Sequence, residues 1–426
     1  MPKKKEVVVS KKSLEPKTRA HVDEHIKKAL TDTTGNATAK LYDEVLVFAH
    51  ASRASDIHLE PDKDEARIRL RIDGILHDYF TIPTELHRRI IALLKIRTHM
   101  RTDEHRAPQD GRDSFSTAIG TVDVRASMMP TNVGEKAVLR LLSSESHNLT
   151  LEQLGFEKKD FDVIMRAVHR PWGMILTTGP TGSGKTTTIY AILEILNKRS
   201  VNISTIEDPV EFFISGVNQS QVDSSAKLTF AKGLRALVRQ DPDIIMVGEV
   251  RDEETAQIAV NAALTGHKLL STLHTNNAAT TIPRLLDMGV EPFLLASTLN
   301  VAVSQRLMRR ACDGCRKDKT YSQADLEASL DDVIMELLFK RGAKLTLIEV
   351  MGCPACNNTG YKGRVGIYEV MEVTEAIQRL IVKRASSQEI ENTAVSEGMT
   401  TLIQNGVEKV LQKETTIEEL IRVLKE

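Results

Sequence analysis

Residues Gly179-Pro-Thr-Gly-Ser-Gly-Lys-Thr186 match G-x-x-x-x-G-K-[ST] at every fixed position, and their setting decides the fold. The apolar run Met174–Thr178 leads in as a strand. Ile189, Ile192, Leu193 and Leu196 lead out at the i, i+3, i+4, i+7 spacing of one helix face. Glycines there let backbone N–H groups turn inward around a phosphate, at the positive end of the helix that follows. Gly179, Pro180, Thr181, Gly182, Ser183 and Gly184 form the cradle. Lys185 neutralises charge on the β- and γ-phosphates, and Thr186 offers its hydroxyl to Mg²⁺. The loop reads as a nucleoside triphosphate site.

Around it, short apolar strands alternate with helices: Val201–Ile206, Asp243–Val247 and Lys268–Leu273 join Met174–Thr178. That alternation implies a parallel sheet with helices on both faces. Two of the strands run into acids, as Ile206-Glu-Asp-Pro-Val-Glu211 and Ile244-Ile-Met-Val-Gly-Glu249. Such sheets bind ligands at that edge. Hydrolysis needs a held metal and an activated water, and these roles fall among Glu249, Glu207, Asp208 and Glu211. Gly248 stands where many P-loop proteins carry a metal-binding Asp. His267 and His274 flank Lys268–Leu273 at a spacing that matches no recognised metal pair.

Toward the N-terminus, residues 1–40 read as a basic tail. Its first twenty residues hold Lys3, Lys4, Lys5, Lys11, Lys12, Lys17 and Arg19 against Glu6 and Glu15. A solvated arm is the simplest expectation, with contact to an anionic membrane surface or acidic partner as the alternative. A smaller α/β domain is expected over 41–145, followed by a linker at 146–153. In Arg67-Ile-Arg-Leu-Arg-Ile72 polar and apolar residues alternate, so three arginines share one strand face. Asp73-Gly74 then supplies a tight hairpin turn into Ile75–Tyr79.

The four cysteines form two C-x-x-C pairs, Cys312 with Cys315 and Cys353 with Cys356, 37 residues apart at positions 311–360. Four thiolates at tetrahedral geometry close the coordination shell, so a metal here is structural Zn²⁺. Helices are expected over 372–426, the last capped by Thr415 or Thr416. Lys plus Arg (57) nearly cancels Asp plus Glu (58), and aromatics are 4%. A base-stacking, electropositive nucleic-acid surface is therefore not expected. No apolar run approaches the roughly 18 residues of a membrane span, and no signal-peptide pattern is seen.

Taken with Thr205–Glu211, Leu237–Asp252 and Thr265–Thr275, the loop resembles the secretion ATPases of type II secretion and type IV pilus assembly. Ala54-Ser-Asp-Ile-His-Leu-Glu-Pro61, Arg69–Gly74 and Gln109-Asp-Gly-Arg112 match the same family. The resemblance spans about 41–426. It implies a PAS-like N-terminal α/β domain and a RecA-like P-loop ATPase domain over 154–426, with a tetracysteine zinc module and C-terminal helices. It also implies a hexameric Mg-ATP motor, cytoplasmic and peripheral to the inner membrane. Such motors act through a platform protein to extrude pilin or pseudopilin subunits. Under it His274 becomes a residue near the γ-phosphate, and Arg69 and Arg71 are lent to the nucleotide from a face expected to lack local acids. Assembly motors carry a further N-terminal docking domain, whereas only about 40 residues precede the core here. Pilus retraction motors are similarly short but lack the cysteine module. A nucleic-acid-translocating ATPase and a non-hydrolysing nucleotide-gated protein are the alternative functions.

Overall fold

The computed structural model describes residues 19–32, 35–117, 121–143, 149–327, 330–340, 342 and 344–425. The chain divides into two compact units, residues 1–147 and 148–426. Residues 1–18 of the expected tail and 144–148, which include the start of the expected linker, lie outside the described residues.

In the first unit the described strands are β1 (Ala54–Pro61), β2 (Glu65–Ile72), β3 (Ile75–Pro83), β4 (Gln109–Ser116), β5 (Thr121–Thr131) and β6 (Gly134–Ser143). They form one antiparallel sheet in the order β3-β2-β1-β6-β5-β4. The alternation along β2 is realised: Ala66, Ile68, Leu70 and Ile72 are buried. Helices Asn36–Ala51 and Thr84–Arg97 bring Leu41, Val45, Phe48, Ile90 and Leu94 into the same core. Asp73 and Gly74 both have positive φ (48° and 90°), as the two-residue hairpin turn requires.

One expectation is corrected here. Residues 19–31, assigned to the tail, form the helix Arg19–Thr31, which buries Val22, Ile26 and Ala29 in the core of the first unit. Those positions recur at i, i+4, i+7. The surrounding charge hid a short apolar face.

The second unit contains β7 (Gly173–Thr178), β8 (Ile203–Glu207), β9 (Val217–Gln221), β10 (Ile244–Val247), β11 (Lys268–Leu273), β12 (Leu299–Ala311), β13 (Arg316–Ser322), β14 (Lys344–Val350) and β15 (Tyr361–Glu372). Its main sheet runs β15-β12-β7-β11-β10-β8-β9, parallel except for the antiparallel β12–β15 pair. Both faces are buried. Ile245 and Val247 of β10 join a core with helix Glu253–Leu264, whereas Ile244 and Met246 join one with helix Lys185–Leu196. The chain leaves β7 through the phosphate loop and returns in β8, which β11 and β10 separate from β7. That skip opens the crevice at the carboxyl ends of the strands.

β13 and β14 pair antiparallel with Arg316 opposite Val350, which folds the long spacer between the cysteine pairs back on itself. At the C-terminal end, the Glu419 amide donates to Thr416 Oγ1 at 3.3 Å, making Thr416 the cap of helix Ile417–Lys425. Glu419 itself binds Arg309 and Arg422, which ties this helix to β12.

Candidate nucleotide site and metal centre

The loop after β7 is held open by its own geometry. Gly179 has φ 144°, and a Cβ there would lie 2.6 Å from Gln305 O and 2.7 Å from Ser183 Oγ, so any side chain would collide. Helix Lys185–Leu196 starts at Gly184 with no side-chain cap, leaving its first N–H groups for another acceptor. Lys185 Nζ donates to the loop carbonyls of Gly179 (2.8 Å) and Pro180 (2.9 Å). Burial lowers its pKa to about 8, against the attraction of Glu249, while Arg306 adds repulsion. Ser183 Oγ is buried with no hydrogen-bond partner, an unused polar atom inside the cradle. These features fit a polyphosphate.

The carboxylates stand at the adjacent strand ends. Parallel register sets Val247 beside Ile206 and Ser271, so the residues just beyond β8, β10 and β11 share one edge. Glu249 is buried, and its two oxygens are engaged from different sides: Arg251 at 2.5 Å and His274 Nε2 at 3.3 Å. Gly248 has a packing reason to be small. A Cβ there would sit 3.3 Å from Glu207 Cα and 3.4 Å from Phe230. An Asp at this place, as in many P-loop proteins, would require β8 or Phe230 to give by a few tenths of an ångström.

Glu207 is more enclosed still. Tyr190 and Thr205 donate to its oxygens, as does Gln219 Nε2 at 3.3 Å, and burial raises its pKa. Asp208 is exposed and lies within electrostatic range of Arg251, while Glu211 is half-buried. His267, by contrast, is tied to the Ala262 carbonyl at 2.9 Å, beyond the helix that precedes β11.

Three contributors were not read from the sequence. Gln305 Nε2 donates to Ser183 O at 2.7 Å, fixing the loop from β12. Arg306 donates to Gln305 O (3.0 Å) and Asn276 O (2.8 Å), which puts a guanidinium near Lys185. Thr275 binds Thr178 through Oγ1···Oγ1 (2.7 Å) and its amide (2.8 Å), so the His274 segment is fastened to the end of β7. Only the pairing of the long β12 with β7 could have revealed the first two.

Arg69 and Arg71 lie in the first unit, and the expectation that their face lacks acids is overturned. Arg69 pairs with Glu60 (3.1 Å) and Asp78 (2.8 Å). Arg71 donates to Gly74 O at 2.8 Å, and Asp56 is 3.8 Å away and also bound to Arg140. The neighbouring strands supply the acids.

The four cysteine sulfurs lie within 4.8 Å of one another. Cys312–Cys353, Cys315–Cys356 and Cys353–Cys356 are 3.8, 3.9 and 3.7 Å apart. Four thiolates about 2.3 Å from a tetrahedral zinc would be roughly 3.8 Å apart, so the donor set fits Zn²⁺. Amides of Cys353 and Gly360 donate to Cys356 Sγ, both at 3.2 Å, as metal-bound thiolates receive.

A family model described as "Type II/IV secretion system protein" matches residues 32–422. The chain belongs to that family. It is 45% identical over 383 residues to the type IV pilus assembly ATPase PilB of Myxococcus xanthus, covering 90% of this chain and 67% of that relative. It is 43% identical over 387 residues to type II secretion system protein E of Pseudomonas aeruginosa, covering 91% and 75%. The PilB of Thermus thermophilus is 45% identical over 91% of the chain, which spans 43% of that longer protein. Among solved structures, the pilus retraction motor PilT with bound ADP superposes with a TM-score of 0.61 at 28% identity, covering 89% of this chain and 95% of PilT. The Legionella pneumophila ATPase DotB shares the fold, with a TM-score of 0.65 at 20% identity over 89% and 93%. Relatives of this chain are thus named as ATPases of type IV pilus assembly and, in the 44% identical ATPase E of Vibrio cholerae, of type II secretion. Among the described residues no helix is long and apolar enough to cross a membrane.

Proposed function

We propose that this chain hydrolyses Mg-ATP as a hexameric motor, peripheral to the inner membrane, that drives pilin or pseudopilin assembly through a membrane platform protein. The observation that carries the chemistry is the Glu249 carboxylate, oriented by Arg251 and His274 at the strand edge that bears the phosphate loop. Lys185 and the first N–H groups of helix Lys185–Leu196 hold the phosphates. Glu249 positions the attacking water, and His274 steers the carboxylate. Thr186 with Asp208 and Glu211 would hold Mg²⁺, which supplies charge neutralisation on the phosphates. Glu207, enclosed by Tyr190, Thr205 and Gln219, keeps the acidic segment in place. Of the two arginines, Arg71 is the better nucleotide partner, because Arg69 is held by two carboxylates. The cysteines hold one structural Zn²⁺. Steady-state ATPase assays with and without DNA test the reading. Mg²⁺-dependent turnover that DNA does not stimulate supports it, and no turnover by an assembled chain overturns it.

A further inference from the structure

We propose that His21, His25 and Glu44 form a second metal site, which takes a divalent transition cation of the Zn²⁺ class between helices Arg19–Thr31 and Asn36–Ala51. His21 and His25 are one helical turn apart, so both imidazoles leave the same face, their ring centroids 4.9 Å apart. Glu44 comes from the next helix and is 6% exposed, and His25 is 5% exposed. One ligand atom from each of the three residues lies within 4.8 Å of the others.

The tautomer is already set for ligation. His25 Nδ1 lies 3.0 Å from the His21 carbonyl oxygen, which can only accept, so in the neutral ring Nδ1 carries the proton and Nε2 has the lone pair. A ligating histidine usually has its other nitrogen held in this way. Two imidazole nitrogens and one carboxylate oxygen suit Zn²⁺, Ni²⁺ or Cu²⁺, whereas Mg²⁺ and Ca²⁺ select oxygen donors. Three atoms within 4.8 Å of one another have a common centre at most roughly 2.8 Å from each, against about 2.0–2.1 Å for zinc–nitrogen bonds. Closing that gap takes under about 1 Å of movement. His21 is exposed and can rotate toward the buried pair, while small side-chain shifts draw His25 and Glu44 together. Its exposed side also gives the ion a way in and leaves a fourth position for water. Bound there, the cation would add a tie to helix Arg19–Thr31, which Val22, Ile26 and Ala29 and the Arg89 hydrogen bond to Ala29 O (2.8 Å) already hold to the first unit.

The test uses the full chain and needs no ATPase activity. After equilibration with Zn²⁺ and removal of free metal, the parent chain should carry one more zinc than His21→Gln, a change at an exposed position. Co²⁺ added to protein with zinc-filled cysteines should give d–d bands without thiolate charge transfer in the parent, and none in His21→Gln or Glu44→Gln. Zn²⁺ should also slow amide exchange across residues 19–31 only in the parent. Equal zinc contents, or Co²⁺ bands that survive both substitutions, overturn the site and leave a packed histidine–carboxylate cluster.

Discussion

His274 Nε2 lies 3.3 Å from Glu249 Oε2, while Arg251 reaches the other carboxylate oxygen at 2.5 Å. A carboxylate gripped at both oxygens cannot swing, and a water hydrogen-bonded to it inherits a fixed direction. Glu249→Gln should therefore keep nucleotide affinity within about twofold while slowing turnover at least about 100-fold, as for a lost proton acceptor. His274→Ala should cost less, about tenfold, since Arg251 still orients one oxygen. Single-turnover hydrolysis and nucleotide titration measure the two effects separately. Parental turnover in Glu249→Gln would remove this carboxylate from the reaction.

Lys185 gives a proton-linkage prediction. Burial lowers its pKa to about 8 in the nucleotide-free chain, and Arg306 pushes the same way against the pull of Glu249. Phosphates favour the charged ammonium, so binding must raise that pKa. At pH 8.5 nucleotide binding should take up roughly 0.7 proton, and the uptake should vanish below about pH 7, where Lys185 is already charged. Calorimetry of ADP binding in two buffers of different ionisation enthalpy reads the number directly. Zero uptake, or release, at pH 8.5 contradicts the assignment.

The sequence disclosed most where a local pattern carries its own geometry. Gly179–Thr186 was legible because positive-φ glycines at fixed spacing admit few structures. The acids Glu207 and Glu249 were legible because an apolar run ending in a charge marks a strand edge. Gln305 and Arg306 were not, since only the register of β12 beside β7 brings them to the loop. The partners of Arg69 were half legible. A two-residue turn at Asp73-Gly74 already sets Asp78 opposite Arg69, but Glu60 needed the β1–β2 pairing. The helix Arg19–Thr31 escaped because its apolar stripe is narrow within a strongly charged stretch.

The cysteine centre should act through folding. Cys315→Ser should remove the one zinc proposed for the four cysteines and lower the thermal midpoint by several degrees, with nucleotide affinity within about twofold of the parent. Metal analysis and thermal melts check it. A chain whose four thiols all react freely with no loss of zinc and no change in midpoint would exclude a bound metal there.

Glu369 on β15 links stability to pH. It accepts the Ala278 amide at 2.7 Å, and its pKa is raised to about 7 by burial and then by Glu391, with Arg306 and the amides opposing. The folded carboxyl stays protonated to about pH 7, whereas in the unfolded chain it ionises above its ordinary value of 4.5. This contribution is fully present below about pH 4.5, falls as pH rises toward 7, and is flat above. The span is on the order of 3 kcal/mol. Glu369→Gln cannot ionise, so the parent's thermal midpoint should lose ground to the variant's between pH 4.5 and 7. A gap that moves the other way refutes the burial argument.

Arg69 and Arg71 separate a structural role from a catalytic one. Arg69 is matched by Glu60 and Asp78, two carboxylates within 3.1 Å, so little of its charge remains for a phosphate. Arg71 meets its nearest carboxylate, Asp56, only at 3.8 Å, and Arg140 holds that acid more closely, at 2.9 Å. A guanidinium left short of a bidentate partner gains most from a phosphate, where two parallel N–H···O bonds can form. Transition-state charge in P-loop enzymes often needs an arginine from outside the loop, worth orders of magnitude in turnover. Arg71→Ala should therefore reduce turnover at least about 30-fold with nucleotide affinity nearly unchanged. Arg69→Ala should lower the thermal midpoint and leave turnover within about threefold. In the parent, activity per chain should climb with protein concentration as hexamers form, followed by sedimentation in parallel with the assay. Full activity in a chain that sediments as a monomer throughout would dismiss the ring, and parental turnover in Arg71→Ala would dismiss the arginine.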